Sequence, residues 1–195
     1  KWLLVAVLLP VIVSVILVCL PGNFTRNDLS GLQIFNIIVN AVFVVGFSAG
    51  VVEEMIFRGL IMTALEKRWG KRIAIVAPSV LFGLLHASGG MHVVDMLILL
   101  VAGTSVGMMF SLIVYKSGSI WCSALVHGIW NMLIIGGILH IGSTHSDEAI
   151  FSYDLASESV FLTGGEFGVE ASVLAIAAYL AVIVWVLLSL KREGD

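Results

Sequence analysis

Residues 32–65 read LQIFNIIVNAVFVVGFSAGVVEEMIFRGLIMTAL. This apolar stretch is longer than the ~20 residues that a helix needs to cross the hydrocarbon core of a bilayer. It nevertheless contains three ionisable side chains close together, those of Glu53, Glu54 and Arg58. Ionisable groups at membrane depth are costly and usually face a cavity or each other. The stretch therefore predicts a membrane helix that carries a polar site.

The composition of the whole chain agrees with a membrane protein. Apolar residues make up 59% of the 195 residues and charged residues only 12%, against about 25% charged residues in soluble domains, and the mean hydropathy is +1.10. We expect a single domain, residues 1–195, of the all-α class: a polytopic integral membrane bundle of about six transmembrane helices around a polar intramembrane cavity. The net charge of −3 and the absence of a basic block exclude nucleic acid as a partner. The six candidate spans are residues 2–20, 32–65, 72–87, 93–115, 119–141 and 171–190.

The distribution of charge predicts the orientation of these spans. Four basic residues lie in residues 66–72, and Lys191 and Arg192 follow the last span. Residues 142–170 contain six carboxylates and neither lysine nor arginine. Because cytoplasmic loops are enriched in basic residues, we expect both termini in the cytoplasm and the acidic loop, residues 142–170, outside it.

Small residues recur at four-residue spacing in two of the spans. Gly46 and Gly50 form one such pair, and Gly103 and Gly107 form the other. This spacing is typical of close contacts between membrane helices, so we interpret the pairs as packing positions.

On a helix, the three ionisable residues of the 53–58 segment would lie on two different faces. Glu54 and Arg58 are four residues apart and share a face, which favours an ion pair. Glu53 points about 100° away from Glu54 and has no cation on its own face. Its carboxylate is therefore expected to meet groups from other helices.

Two further spans carry polar residues at a similar depth. His86 follows Phe82 by one turn, and His127 and Asn131 share a face of another span. At ~1.5 Å per residue, Glu53, His86, His127 and Asn131 lie roughly 12–21 Å from the cytoplasmic ends of their spans. We therefore expect one intramembrane site, whereas His92, His140 and His145 fall near the outer surface.

This set of side chains suits several kinds of chemistry. Glutamate and histidine can hold and deprotonate a water, while histidine and asparagine can stabilise the oxyanion that forms at an amide carbonyl. The glutamate and two histidines are also ligand types of zinc, although no H-E-x-x-H motif occurs. A proton relay in a transporter and purely structural hydrogen bonding remain alternatives.

Three motifs together resemble the signature of a known family. EEMIFR (53–58) matches E-E-x-x-x-R, FGLLH (82–86) matches F-x-x-x-H, and HGIWN (127–131) matches H-x-x-x-N. In this order, within apolar spans, they resemble the CPBP family of CAAX and bacteriocin-processing proteases, also called Abi, which includes the type II CAAX prenyl endopeptidases. The motif core covers residues of about 40–140.

The resemblance implies an intramembrane endopeptidase that hydrolyses a peptide bond in a membrane-associated protein or peptide. It would make Glu53 the water-activating base, His86 its partner, and His127 with Asn131 the oxyanion site. Glu54, within the catalytic set, would act mainly in support and orientation, together with Arg58 and Phe82. We favour a mechanism without a cofactor and assign no metal ligand, although zinc has been considered for the family.

The resemblance also bears on partners and location. The short chain is similar to prokaryotic relatives, which predicts the plasma membrane of a prokaryotic cell. Prenylated CAAX proteins are not the expected substrates of such relatives, and the resemblance leaves the natural substrate open. The alternative is a protein that binds a peptide or a membrane-protein partner without cleaving it, in bacteriocin immunity or as a scaffold.

Overall fold

The structure, a computed structural model, describes residues 1–87 and 90–194 and is an all-α membrane-helical bundle. Wide π-helical turns at Asn40–Gly46, Ser48–Glu53 and Met55–Ile61 join α2 to α3. The helices are α1 Trp2–Val18, α2 Gly31–Val39, α3 Met62–Leu85, α4 Val93–Ser117, α5 Ile120–Ile134, α6 Val160–Thr163 and α7 Val173–Gly194.

Three helical segments of the described chain are long and apolar enough to cross a membrane. They are Gly31–Leu85, Val93–Ser117 and Val173–Arg192. The apolar helices α1 and α5 are shorter, at 17 and 15 residues. The bundle is thus confirmed as membrane-helical, and the number of six spans stays a prediction.

Local sequence signals set several helix ends. The Ser30 hydroxyl accepts a hydrogen bond from the Gln33 amide, and the Gln33 side chain accepts one from the Ser30 amide, so a capping box starts α2. Gly118, with φ +72°, ends α4 in the left-handed conformation that glycine adopts without strain. The Ser119 hydroxyl then caps the start of α5 through the Trp121 amide.

The basic stretch 66–72 lies within α3 rather than in an open loop. The helix breaks there at Gly70, whose φ of 79° and ψ of 174° are not helical. The chain reverses at this glycine, since the rings of Phe57 and Phe82, one on each side of it, lie 5.1 Å apart. The predicted spans 32–65 and 72–87 are therefore the two arms of a helical hairpin.

Glycines allow the helices to approach closely, as their spacing predicts. A Cβ at Gly50 would lie 2.7 Å from the carbonyl oxygen of Ala124 in α5. A Cβ at Gly103 in α4 would lie 2.6 Å from Cα of Gly83 in α3. Both contacts are shorter than any side chain tolerates, so these crossings require glycine.

The buried core lies among α1, α4, α5 and α7. In α1 the core face consists of Ala6, Leu9, Val13 and Leu17, at helical spacing. The outer faces carry large apolar side chains that are exposed in the isolated chain, including Leu3, Leu8, Phe43, Leu60 and Leu187. An apolar outer surface around an apolar core is typical of a bundle whose solvent is lipid.

A three-stranded sheet covers one end of the bundle, and the sequence analysis does not predict it. Its strands are β1 Gly22–Arg26, β2 Leu139–Gly142 and β3 Phe151–Leu155, in the order β1-β3-β2. β3 pairs antiparallel with β1 and parallel with β2. The Asn27 side chain also donates to the carbonyls of Ser146 and Ala149, at 2.7 Å each. The acidic loop is therefore a folded cap.

The end of the predicted span 119–141 is wrong. Helix α5 ends at Ile134, and residues 139–142 form strand β2. Gly137, with φ +78°, turns the chain out of the helix direction between the two. The polar face of His127 and Asn131 remains within α5.

Contacts between distant segments define two ends of the bundle. At the basic end, Lys116 Nζ donates to the carbonyl of Ser189 at 3.1 Å, so the ends of α4 and α7 meet. At the acidic end, His92 lies 3.7 Å from Glu166, so the start of α4 meets the chain before α7. The basic segments therefore lie at one end of the bundle and the acidic cap at the other, which is the arrangement that the charge pattern predicts.

Candidate active site

The predicted ion pair between Glu54 and Arg58 is present and completely buried. Arg58 Nη1 donates to Glu54 Oε1 at 2.8 Å, and both side chains are 0% exposed. Arg58 Nη2 donates to the carbonyl of Gly107 in α4, also at 2.8 Å. Because charges buried in this way need both a counter-charge and hydrogen bonds, the pair fixes the glutamate helix against α4.

Three phenylalanines enclose the Arg58 guanidinium. Its central carbon lies 5.7 Å from the ring centre of Phe57, 5.1 Å from that of Phe82 and 5.2 Å from that of Phe110. Aromatic faces attract a desolvated cation. Phe82, which the sequence analysis assigns to support, therefore contacts the ion pair directly.

His127 joins the ion pair from α5. Its Nδ1 lies 3.0 Å from the same Glu54 oxygen that accepts from Arg58. The ring of Phe110 stacks on the imidazole at 4.6 Å. Since a carboxylate paired with arginine only accepts, Nδ1 is the donor, and the opposite nitrogen, Nε2, is directed away from Glu54.

Glu53 lies on the other side of His127. Its Oε2 is 3.9 Å from His127 Nε2, and its side chain is 33% exposed. This oxygen is itself buried and has no hydrogen-bond partner among the described residues. Buried acceptors are almost always satisfied, so the position of Glu53 Oε2 is one that favours a hydrogen bond from a bound molecule.

His86 lies at the end of α3, next to the same aromatic cluster. Its Nδ1 lies 2.7 Å from the carbonyl oxygen of Phe82, and the two rings are 4.4 Å apart. A carbonyl cannot donate, so Nδ1 carries the proton. In the neutral ring, Nε2 is then an acceptor with a free lone pair.

A small cavity of about 70 Å³ brings the predicted histidines and amide together. His86, His127 and Asn131 all line it, with Phe82 in its wall. Glu53 is not among the described lining residues, but its Oε2 lies 3.9 Å from Nε2 of His127, which is. The volume admits a few water molecules. The structure therefore brings residues of the second and third motifs to one small cavity with mainly apolar walls, and Glu53 of the first motif approaches one of these residues, His127.

Sequence analysis missed one carboxylate at this cavity. Glu170, from the 3₁₀ turn before α7, lines the same space. Burial raises the pKa of Glu170 to about 8, although its hydrogen-bonding neighbour Trp130 opposes the shift, and the negative charge of Glu53 adds to it. The available signal was its position, the last acid of a loop without basic residues, directly before an apolar span.

The other three histidines lie at the acidic end of the bundle, away from the intramembrane cavity. The His92 side chain is 84% exposed. His145 Nδ1 lies 3.0 Å from Asp154 Oδ2, and His140 Nε2 lies 3.1 Å from the carbonyl of Thr144. These positions agree with the prediction that the three are near the outer surface.

Among residues 1–87 and 90–194, no three histidine, cysteine, aspartate or glutamate side chains are arranged to hold a metal ion. The Nδ1 atoms of His86 and His127 bond Phe82 and Glu54, which leaves Nε2 of each ring without a hydrogen bond to the described residues.

Comparison with known proteins identifies a family for the region that contains the site. The family model "Type II CAAX prenyl endopeptidase Rce1-like" matches residues 35–133, just over half of the chain. The matched region includes all three motifs, from Glu53 to Asn131. Searches of curated proteins and of solved structures found no significant match.

Proposed function

Since the chain belongs to the Rce1-like family of type II CAAX prenyl endopeptidases, we propose that it hydrolyses peptide bonds within the membrane through a water activated by Glu53. The family supports an intramembrane CAAX-type protease, and its apolar helices make the chain an integral membrane protein. The proposed substrate is a peptide or a membrane-associated protein. The mechanism follows from the side chains around the cavity.

The observation that carries the proposal is the free Oε2 of Glu53 beside His127. A general base must accept a proton from water through an oxygen that no protein group already occupies. Glu53 Oε2 has no partner among the described residues and is 3.9 Å from His127 Nε2. Glu54 Oε2 also has no partner among the described residues, but the Glu54 side chain is 0% exposed against 33% for Glu53. The other Glu54 oxygen already accepts from Arg58 and His127. The two adjacent glutamates therefore have different roles: Glu53 reacts, and Glu54 orients.

We assign His86 to the same water. Its Nδ1 donates to Phe82, so the neutral ring offers Nε2 as an acceptor. A water that donates one hydrogen to Glu53 and the other to His86 has its lone pair available for attack. The oxygen bonds to the substrate carbonyl carbon, and Glu53 takes the proton. When the C–N bond breaks, Glu53 returns that proton to the leaving nitrogen.

We assign the oxyanion to His127 and Asn131. The Asn131 amide can donate from its place one turn beyond His127 in the cavity wall. His127 already donates through Nδ1 to Glu54. It can donate through Nε2 as well only as an imidazolium, whose charge the developing oxyanion itself compensates, since the Glu54 carboxylate already pairs with Arg58. Glu54 orients the His127 ring for this contact through Nδ1.

The test is product mass spectrometry on a peptide library with purified protein in lipid. Glu53→Gln should lower the cleavage rate by about 10²–10⁴-fold, the usual contribution of a general base, and leave folding unchanged. Glu158→Gln, at an exposed acid of the cap, is the matched control and should cleave like the wild type. A folded Glu53→Gln protein with full activity would contradict the mechanism.

The same preparations test the alternative that the chain binds a peptide or a membrane-protein partner without cleaving it. If the wild type yields no product while the Glu53→Gln/His86→Ala double variant retains partner binding, the chain is a peptide-binding or scaffold protein. Loss of both cleavage and binding in the double variant would instead support a shared catalytic cavity.

We also propose that the basic end faces the cytoplasm of a prokaryotic cell and that the acidic cap faces outward. Cysteines placed at Lys67 and Asp147, in a background without Cys19 and Cys122, should react with a membrane-impermeant maleimide from opposite sides of the membrane. Labelling of Asp147→Cys from the cytoplasmic side would reverse the proposed orientation.

A further inference from the structure

A second, larger cavity adjoins the catalytic one. Its volume is about 540 Å³, and its walls come from α2, the end of α5 and the acidic cap. The two cavities share three lining residues, Ile135, Phe167 and Glu170. These residues form the boundary between the space that holds the histidines and the space that has room for a peptide. We call the larger space the outer cavity.

Glu170 is held firmly at this boundary. The Tyr179 hydroxyl, nearly two turns into α7, donates to the Glu170 carbonyl at 3.1 Å. The flanking residues Val169 and Ala171 are buried. The Trp130 side chain is a hydrogen-bonding neighbour of the carboxyl group. The position of this carboxyl group is therefore set by the bundle and not by a free loop.

The ionisable side chains around the outer cavity are mainly acids. Its described lining includes Glu148 and Glu170 and neither lysine nor arginine. Glu53, which interacts with Glu170, is a third acid nearby. A cavity with this lining favours a cation and disfavours an acidic side chain.

We propose that the outer cavity binds the substrate segment next to the scissile bond and that Glu170 selects a basic side chain in that segment. The inference rests on the proposed peptidase function and adds to it the chemistry of the substrate. The geometry points to a peptide that approaches from the acidic end of the bundle. Its backbone occupies the outer cavity, and its scissile bond lies beyond Phe167 and Glu170.

The proposal predicts that the affinity for a lysine-containing peptide depends on pH in a distinctive way. The buried Glu170 carboxyl, with its pKa of about 8, carries a proton at neutral pH. A lysine side chain binds best to the ionised form, so binding releases that proton below pH 8. Affinity for a lysine-containing peptide should therefore rise with pH up to about 8 and then level off, whereas a neutral peptide lacks this contribution. Other titratable groups at or near the two cavities can also change binding with pH, so the effect of Glu170 must be measured against a variant that lacks only this acid. These groups are Glu53, His86, His127, His140, Glu148 and Tyr179.

The experiment measures binding separately from cleavage. Short lipidated fluorescent peptides of alanine and serine carry lysine, norleucine or glutamate at one position in turn. Their dissociation constants are measured on full-length Glu53→Gln protein in lipid nanodiscs, across the pH range around 8. The same background with Glu170→Gln removes the ionisable group. The background with Glu166→Gln is the matched control, because Glu166 is an exposed acid four residues away.

We expect the lysine peptide to bind about tenfold more tightly than the norleucine peptide above pH 8, the size of one charge-assisted hydrogen bond. This advantage should shrink at lower pH, disappear in Glu170→Gln and persist in Glu166→Gln. Equal binding of the three peptides, or a lysine advantage that survives Glu170→Gln, would overturn the inference. An equal loss for all three peptides in Glu170→Gln would also overturn it, since that result indicates a structural role.

Cleavage by the wild type separates this inference from the proposed function. Cleavage without a lysine preference would reject the selectivity of Glu170 and leave the peptidase intact. A Glu170-dependent lysine preference without any cleavage would reject the peptidase and retain the binding cavity.

Discussion

Oε1 of Glu54 lies 3.0 Å from Nδ1 of His127, and both side chains are buried. The same oxygen accepts from Arg58 at 2.8 Å, so one carboxylate connects a cation of the glutamate helix to an imidazole of α5. Glu54 is therefore both a structural link and the group that orients a proposed catalytic residue. Its neighbour Glu53 has no ion pair with Arg58 and approaches His127 only to 3.9 Å, at the opposite ring nitrogen.

The first prediction concerns the stability of the Glu54 link. Glu54→Gln removes the counter-charge of the buried Arg58 and should lower the free energy of unfolding by about 3–5 kcal/mol. It should also lower the cleavage rate, because His127 loses its charged partner. Denaturant unfolding in detergent and peptide cleavage measure the two effects.

A double variant separates stability from activity. Glu54→Gln/Arg58→Met has no buried charge left at this pair and should recover most of the lost stability without recovering cleavage. Glu53→Gln is the comparison and should be as stable as the wild type. Wild-type stability of Glu54→Gln would contradict the structural role of the link.

The second prediction concerns helix packing at Gly50. An added Cβ would lie 2.7 Å from the Ala124 carbonyl oxygen and 2.9 Å from the Gly128 amide nitrogen, so α5 must move. We expect Gly50→Ala to cost about 1–3 kcal/mol of unfolding free energy. Cleavage should fall as well, because Glu53 and His127 lie on the two displaced helices.

Gly59 provides the matched control for Gly50. A Cβ at Gly59 has its nearest neighbours at 3.9 Å, an ordinary contact distance. Gly59→Ala should therefore change the melting temperature and the activity little. Similar losses in the two variants would show that the effect comes from backbone propensity and not from the crossing of the helices.

The third prediction concerns the pH dependence of stability. Burial raises the pKa of Glu170 from an ordinary value of 4.5 to about 8. Because the folded state holds the proton more tightly, its contribution to stability is complete below pH 4.5 and is lost as pH rises to about 8. Glu170→Gln should flatten the decline of the melting temperature over this interval. Parallel profiles for the wild type and the variant would show that Glu170 ionises freely in the folded state.

The fourth prediction concerns metal. The side chains of the proposed mechanism act without a metal ion, so activity should survive dialysis against a strong chelator. Peptide cleavage before and after chelation, with added zinc in a parallel sample, is the measurement. Loss of activity that zinc restores would replace the metal-free mechanism with a zinc-dependent one.

The sequence by itself determined the class of the protein and predicted the candidate site residues other than Glu170. Apolar spans must be helical in lipid, because no water is present to satisfy an open backbone. Charged side chains at membrane depth are rare enough to stand out, and their spacing identified the Glu54–Arg58 pair and the family. The glycine spacing predicted the close helix crossings for the same reason, since packing in lipid depends on small residues.

Only the tertiary structure decided which groups meet across helices. Helical periodicity states which face a residue occupies but not which neighbour that face meets, so the bond between His127 and Glu54 could not be read from spacing. The cap, the sheet and Glu170 at the cavity boundary depend on contacts between segments far apart in the chain. Such contacts are set by the packing of the whole bundle and leave no periodic signal in the local sequence.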